Sequence, residues 1–429
     1  MTTTRNTALN NLPNLPNLLE GGQTDLSVEL PIGITDPIEI RGATASIVRS
    51  IPNSLDGSWE ESYAGKCFKH SYYQLIQRTL GEQFDHYFLI LEKSNGKPFV
   101  QPLFLVRESI LKGLSASLKQ GLGRWLQGQF PFMCEIRMLM VGCSTGEGTL
   151  AGKECDHSEV SMFLHEALPE VARRLNASLI VLKDFPSSYR ATLKHFSANG
   201  YTRIPSFPAC GIDLSYRNFE DYMARTLSYK TRKNLRRKFR DADRAGKFSM
   251  EVLKDFTPVL DEVYPLYRQV IDRSKFQFEI LTAEYFAGLA VALGGNGRFF
   301  VWRDSCGKIV AFTVCVLEGK TLRDCYIGLD YEIALSAHLY FISLRDIFSW
   351  AMENQIERYY SSPLNYTPKL HLKLELAPLD LYIRHISPVF NFFFRHLIPI
   401  LEPTRYDPVL PKFPNFPDLR STRFSPPCV

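Results

Sequence analysis

The chain has 429 residues, 45% hydrophobic and 22% charged, a globular composition with length enough for two or more domains. Its formal net charge of +5 and sequence pI near 8.6 permit an anionic partner without demanding one. Nine cysteines, none in a CxxC pair and none beside a histidine cluster, argue against a zinc site or a disulfide framework and for reduced thiols in a cytosol; no metal is expected.

The N-terminus lacks the basic-then-apolar order of a signal peptide. Residues 1–50 open with "NNLPNLPNLLEGG", which has neither helical nor strand period, so a disordered leader is expected there. A first domain is expected over 51–215. In it "FLILEKSNGKPFV" (88–100) reads as strand, glycine turn, strand, and "RMLMVG" (137–142) as a further strand. The stretch "MVGCSTGEGTL" (140–150) has glycines that would let backbone N–H groups approach a phosphate. It lacks both GxGxxG and GK[ST], and an ordinary loop is the better reading. The amphipathic "EVSMFLHEALPEVARRL" and the strand "ASLIVLKDF" follow.

The same elements recur in a second domain expected over 216–385. "FFVWRDSCGKIVA" (299–311) matches the first hairpin at a constant offset of 211 residues. "RDCYIG" (323–328), the amphipathic "SAHLYFISLRDIFSWAMENQ" and "IERYYSSP" then repeat the strand, helix and strand of the first domain. The order predicts an α+β unit with a mixed sheet, used twice. Roughly 25 extra residues of the first unit fall around "SILKGLSASLKQGLGRWLQGQ".

The second unit begins with a dense run of Lys and Arg, "SYKTRKNLRRKFRDADR" (228–244). On a helix capped by Ser228, Lys233, Arg237, Arg240 and Arg244 form one stripe, and Leu235, Phe239 and Ala242 lie opposite. The helix docks by one face and shows the other as a solvated or an anion-binding surface. Asp324, Asp330 and Glu332 flank a strand end and are candidate general bases. In "YTPKLHLKLELAPL" (366–379) the alternation of Leu370, Leu372, Leu374 and Leu376 predicts a half-buried strand, with Lys369 at its entrance and able to pair a carboxylate or phosphate in a cleft.

The C-terminal region, 386–429, begins with "ISPVFNFFFRHLIPIL" (386–401), too short and too interrupted to span a membrane. It is expected as a helix docked on a domain, or as a segment resting on a membrane surface. The proline-rich tail beyond it is expected to run extended over the surface.

Three of these stretches, in order, resemble the Fem-like and CelD-like acyltransferases of the GNAT superfamily, the peptidoglycan biosynthesis/recognition group. "SYKTRKNLRRKFRDADRAG" is similar to that group's Ser-x-Lys-x-Arg-x-x-[IL]-Arg helix. "VYPLYRQVIDRSKFQFEILTAEYFAGL" is similar to its Tyr-rich and Leu-Thr-x-x-[FY]-Phe helices, and "YTPKLHLKLELAP" to its Tyr-x-x-Lys-x-x-hydrophobic strand. The resemblance implies tandem GNAT-like domains and N-acyl or aminoacyl transfer to an amine. The co-substrate would be acyl-CoA, an acyl-carrier protein or aminoacyl-tRNA, with no permanently bound cofactor. Lys230, Arg232 and Arg236 are then expected as donor-binding and Tyr366 and Lys369 in the cleft, and Asp330, of the acids flanking the strand end, is taken as the candidate base. "YEIALSAH" stands where ordinary GNAT enzymes carry their pyrophosphate motif, which favours a carrier or tRNA donor over CoA. The rival reading is a non-catalytic anion- or nucleic-acid-binding protein on the same scaffold, with affinity falling steeply in salt.

Overall fold

The structure, a computed structural model, describes residues 36–63, 66, 68–94, 96–109, 135–274 and 276–421. Of the leader expected over 1–50, residues 1–35 lie outside the described ones, and 38–40 and 43–48 form strands instead. Strands β1 (Ile38–Ile40) and β2 (Ala43–Val48) pair as a hairpin around Gly42, whose φ of +78° suits glycine. Ala43, Ala45 and Ile47 alternate inward, a period too short and too small-sided to stand out beside the leader.

The first half continues through α1 (Asp56–Ser62), α2 (His70–Thr79), β3 (Asp85–Lys93), β4 (Phe99–Ser109), β5 (Glu135–Val141), α3 (His157–Arg174), β6 (Leu179–Pro186), α4 (Lys194–Ala198), β7 (Thr202–Pro205) and β8 (Ala209–Asp213). The expected hairpin is β3–β4, and the insertion around 110–134 lies outside the described residues. The second half runs α5 (Phe219–Thr226), α6 (Tyr229–Ala245), β9 (Ser249–Leu253), α7 (Leu260–Ile271), α8 (Ala283–Leu293), β10 (Gly297–Arg303) and β11 (Ile309–Glu318). It continues with β12 (Thr321–Leu329), α9 (Leu339–Glu353), β13 (Arg358–Ser361), α10 (Tyr366–His371), β14 (Glu375–Ala377), β15 (Leu379–His385) and α11 (Pro388–Leu397).

Two mixed sheets result. One has the order β1-β2-β3-β4-β5-β6-β15-β7, the other β14-β8-β13-β12-β11-β10-β9. Position by position these are one pattern: β2 to β6 correspond to β9 to β13, with a single parallel pair in each, β5–β6 and β12–β13. The α+β duplication is therefore present, but the halves exchange a strand. β8 leaves the first half to sit between β13 and β14, and β15 leaves the second half to sit between β6 and β7. The partition expected at 215 does not follow the sheets, because β8 before it completes the second sheet and β15 after it completes the first.

The halves also share a core. Helices α2 and α8 occupy equivalent places and pack so closely that a Cβ on Gly288 would lie 2.4 Å from Leu75 Cδ1. Tyr72 and Tyr285, on those two helices, bond hydroxyl to hydroxyl at 2.7 Å. The tail is corrected too. From Leu401 to Ser421 it makes short 3-10 turns that bury Thr404, Leu410, Phe413 and Leu419, so Pro403, Pro411 and Pro417 sit in turns and not in an extended run.

Candidate active site

A large cleft of about 2190 Å³ opens between the halves, lined mostly by apolar surface. It exists because the parallel strands β12 and β13 part. They pair from Thr321–Arg358 to Asp324–Ser361, after which Ser362 N–H donates to Asp324 O at 2.9 Å and β13 ends. From Cys325 to Leu329, β12 keeps β11 on one side only, and its other edge faces the cleft. Cys325 is the extra residue of a β-bulge opposite Val314 and Cys315, which bends the strand at this point.

Polar groups converge at the fork. Tyr359 Oη donates to Asp324 Oδ2 at 2.6 Å. Burial raises the Asp324 pKa to about 6, with the Tyr359 hydrogen bond and Lys369 pulling the other way. Lys369 is buried and lines the cleft, and its Nζ donates to Ser362 O at 2.5 Å and Leu364 O at 2.6 Å. Burial lowers its pKa, opposed by Cys210 and Asp324. Leu364 and Asn365 both have positive φ in the turn that these bonds hold, a strained backbone fixed by the lysine.

Across the cleft the first half contributes Lys183 and Asp184. Lys183 Nζ lies 2.6 Å from Asp184 Oδ2 and donates to Gly146 O at 3.1 Å. Burial opposes its charge, but Asp184 and Glu279 hold its pKa above the ordinary lysine value. Glu279, in the connection between α7 and α8, lines the same space. Burial raises its carboxyl to a pKa of about 7, less the attraction of Lys183. The glycine loop 142–148 forms part of this wall, as an ordinary loop. A Cβ on Gly148 would meet Lys183 O at 2.3 Å, so glycine is required there for packing against β6.

The residues singled out from sequence divide. Lys369 is at the fork. Tyr366 is buried beside it, but its hydroxyl donates to Pro208 O at 3.0 Å and it does not line the cleft. Asp330 is also outside the cleft: it accepts from Lys308 Nζ at 2.7 Å and from the Glu332 N–H at 3.1 Å, fixing the turn after β12. Ser228 caps α6 as expected, with Leu235 and Ala242 buried. Arg232, however, donates to Ala224 O at 3.1 Å and Leu227 O at 2.8 Å, closing the end of α5, and Arg236 pairs with Glu220 at 2.8 Å. Lys230 is exposed, and none of the three reaches the cleft. Arg232→Ala should thus lower stability by about 0.5–1.5 kcal/mol, read by urea denaturation, and leave donor affinity unchanged.

The expected strand over 370–376 is instead α10 followed by β14. Lys373 N–H donates to Leu370 O and Leu374 N–H to Lys369 O, the two bonds of a Schellman closure, with Lys373 at φ +59° where glycine is usual. Without that glycine, the leucine alternation reads as a strand. Glu279 and Lys183 carried no sequence signal, because only their shared place on the cleft wall sets them apart from other charged residues.

The acetyltransferase (GNAT) domain family matches residues 229–366, from the start of α6 to the start of α10. The second half thus carries a GNAT acyltransferase domain. No curated protein sequence matches the chain. Among solved structures, L-PGS from Bacillus licheniformis is similar at 13% identity and a TM-score of 0.48, covering 83% of this chain and 98% of that one. FemX is similar at 10% identity and a TM-score of 0.48, covering 77% and 96%. A tandem GNAT protein from the clavulanic acid biosynthesis pathway is similar at 11% identity and a TM-score of 0.45, covering 81% and 99%.

Proposed function

We propose that this acyltransferase moves an acyl or aminoacyl group from an anionic donor to an amine, with the reacting carbonyl held at the fork of β12 and β13. The observation that carries the reading is the fork itself: a β12 edge, unpaired from Cys325 on by any strand among the described residues, faces a cleft with two carboxyls of raised pKa. Backbone N–H groups on that edge polarise the donor carbonyl and stabilise the oxyanion that forms on it. Glu279 lines the cleft, and Lys183 and a backbone hydrogen bond at Glu279 itself offset only part of the burial that raises its carboxyl, so Glu279 is the base in this reading. Asp324 and Lys369 are already committed to Tyr359 and to the 362–364 turn.

The steps balance simply. The amine nitrogen attacks the carbonyl carbon and its proton passes to Glu279. The tetrahedral intermediate then collapses, the bond to sulfur or oxygen breaks, and Glu279 returns the proton to the leaving group. Lys369 holds the turn beside the fork and adds positive potential there. Lys369→Met leaves the Ser362 and Leu364 carbonyls without their donor. It should cost about 1–3 kcal/mol of stability and lower kcat by about tenfold or more, measured by denaturation and steady-state turnover.

The donor's anionic portion fits the outer face of α6. Lys233, Arg237 and Arg240 are exposed there and form no ion pair among the described residues. A polyanionic carrier such as tRNA or an acyl-carrier protein uses such a stripe better than CoA does. Arg240→Glu tests this by donor affinity and its salt dependence. Binding unchanged in that variant assigns the donor to the cleft mouth, where Arg273 stacks on Tyr331 at 4.5 Å.

A further inference from the structure

Helix α11 presents an unusual surface. Val389, Phe390, Phe393 and Leu397 fall at helical three- and four-residue spacings on one side, with Phe392 beside them and Ile400 and Leu401 just beyond the helix, and all are exposed. Phe393 keeps 63% of its surface and Phe390 58%, values far outside those of a core aromatic. The helix is nonetheless fixed to the sheet. Asn391 Oδ1 accepts from the His385 N–H at 2.9 Å, Asn391 Nδ2 donates to Gly200 O at 2.9 Å, and the His385 ring lies 5.3 Å from both Phe390 and Phe394. The exposed face is therefore held outward by design of the contacts beneath it.

Charge selects the occupant. From Leu381 to Leu401 there is no acidic residue, while Arg384 and Arg395 supply cations, with His385 and His396 beside them. Arg395 and His396 are exposed next to the phenylalanines, and the first acid beyond, Glu402, is buried against Arg420 and Arg405. Among the described residues no helix is long and apolar enough to cross a membrane. Exposed aromatics flanked by cations on a short amphipathic helix suit the headgroup and acyl boundary of an anionic bilayer.

We propose that α11 docks the protein on an anionic lipid surface, with Phe390 and Phe393 inserted and Arg395 at the headgroups. The docking also orients the cleft. Leu379, Leu381 and Ile383 line it on one face of β15, and His385, next on that face, touches α11. An apolar wall made of these residues with Met138, Met140 and Val181 thus runs from the cleft toward the docked helix. A substrate carried on a lipid would enter along that wall; this second step rests on the acyl-transfer reading, whereas docking does not.

The test is co-sedimentation of the full chain with vesicles of phosphatidylcholine containing phosphatidylglycerol, against vesicles of phosphatidylcholine alone. Binding is expected to the first, to weaken in salt, and to fall about tenfold or more in Phe390→Ser/Phe393→Ser, with circular dichroism unchanged and melting lowered by no more than the loss of the Phe390–His385 ring contact. Arg395→Glu should weaken it as well. Absence of binding to the anionic vesicles overturns the proposal, as does equal binding by the double variant. Light scattering covers the remaining occupant: a dimer that the double variant converts to monomer, without vesicle binding by the parent, assigns the face to a second copy of the chain. Failure to bind vesicles leaves the acyl-transfer reading standing, since turnover is measured without lipid.

Discussion

Replacing Asp380 with alanine should lower the free energy of unfolding by about 3–5 kcal/mol. Asp380 sits on β15, the strand that the second half lends to the first sheet, and is fully buried. Arg190 grips it with Nε at 2.6 Å and Nη2 at 3.1 Å, and Arg203 adds Nη1 at 3.1 Å. Arg190 also donates to Asp418 O at 2.9 Å and Leu419 O at 3.2 Å, so the same guanidinium ties down the tail. Alanine leaves two guanidiniums facing an emptied site, one of them buried, and that uncompensated charge is the large term. Denaturation in urea measures the effect. Asp380→Asn, which keeps the shape and loses the charge, should fall between alanine and the parent. A change below about 1 kcal/mol for alanine would mean that the strand exchange is held by packing alone.

Glu279→Gln should reduce kcat/KM by about 10²–10⁴ and remove the acidic limb of its pH profile. The base works only when deprotonated. With the carboxyl raised to a pKa of about 7, the parent rate should climb tenfold per pH unit below that value and level off above it. Stability moves the opposite way. A carboxyl whose pKa is higher folded than unfolded resists ionising in the fold, so the parent loses stability as pH rises from about 4.5 to about 7. Glutamine carries no such penalty. At pH 8 the variant should be more stable than the parent by roughly 1–2 kcal/mol, after allowance for partial solvent screening, and the two should converge below pH 4. Parallel pH titrations of rate and melting temperature read both. A variant that loses activity and stability together would make Glu279 a structural residue.

The duplication was legible because it rests on local period: two hairpins at a fixed offset, each followed by strand, amphipathic helix and strand. The exchange of β8 and β15 was not, since strands of five and seven residues say nothing of which sheet receives them. β2 was lost beside the leader for a similar reason, as a six-residue strand with alanines inside. At the site, Lys369 stood out through its motif, and Asp324 through its place near a strand end with Asp330 and Glu332. The structure separates them: Asp324 faces Tyr359 in the fork, while Asp330 turns to Lys308. The basic run promised donor contacts at Arg232 and Arg236, but both guanidiniums had nearer partners on α5. A side chain's chemistry can be read from its letter; which neighbour claims it depends on packing that brings distant segments together.

The most direct measurement supplies the parent protein and Glu279→Gln with acyl-CoA donors of graded chain length, acyl-carrier protein and aminoacyl-tRNA, each with a mixture of primary amines, and follows amide formation by mass spectrometry. The account predicts an amide from at least one donor with the parent and its near-complete loss in the variant, with donor binding retained in both. No amide from any donor with the folded parent, or equal amide from parent and variant, would contradict acyl transfer at the fork of β12 and β13.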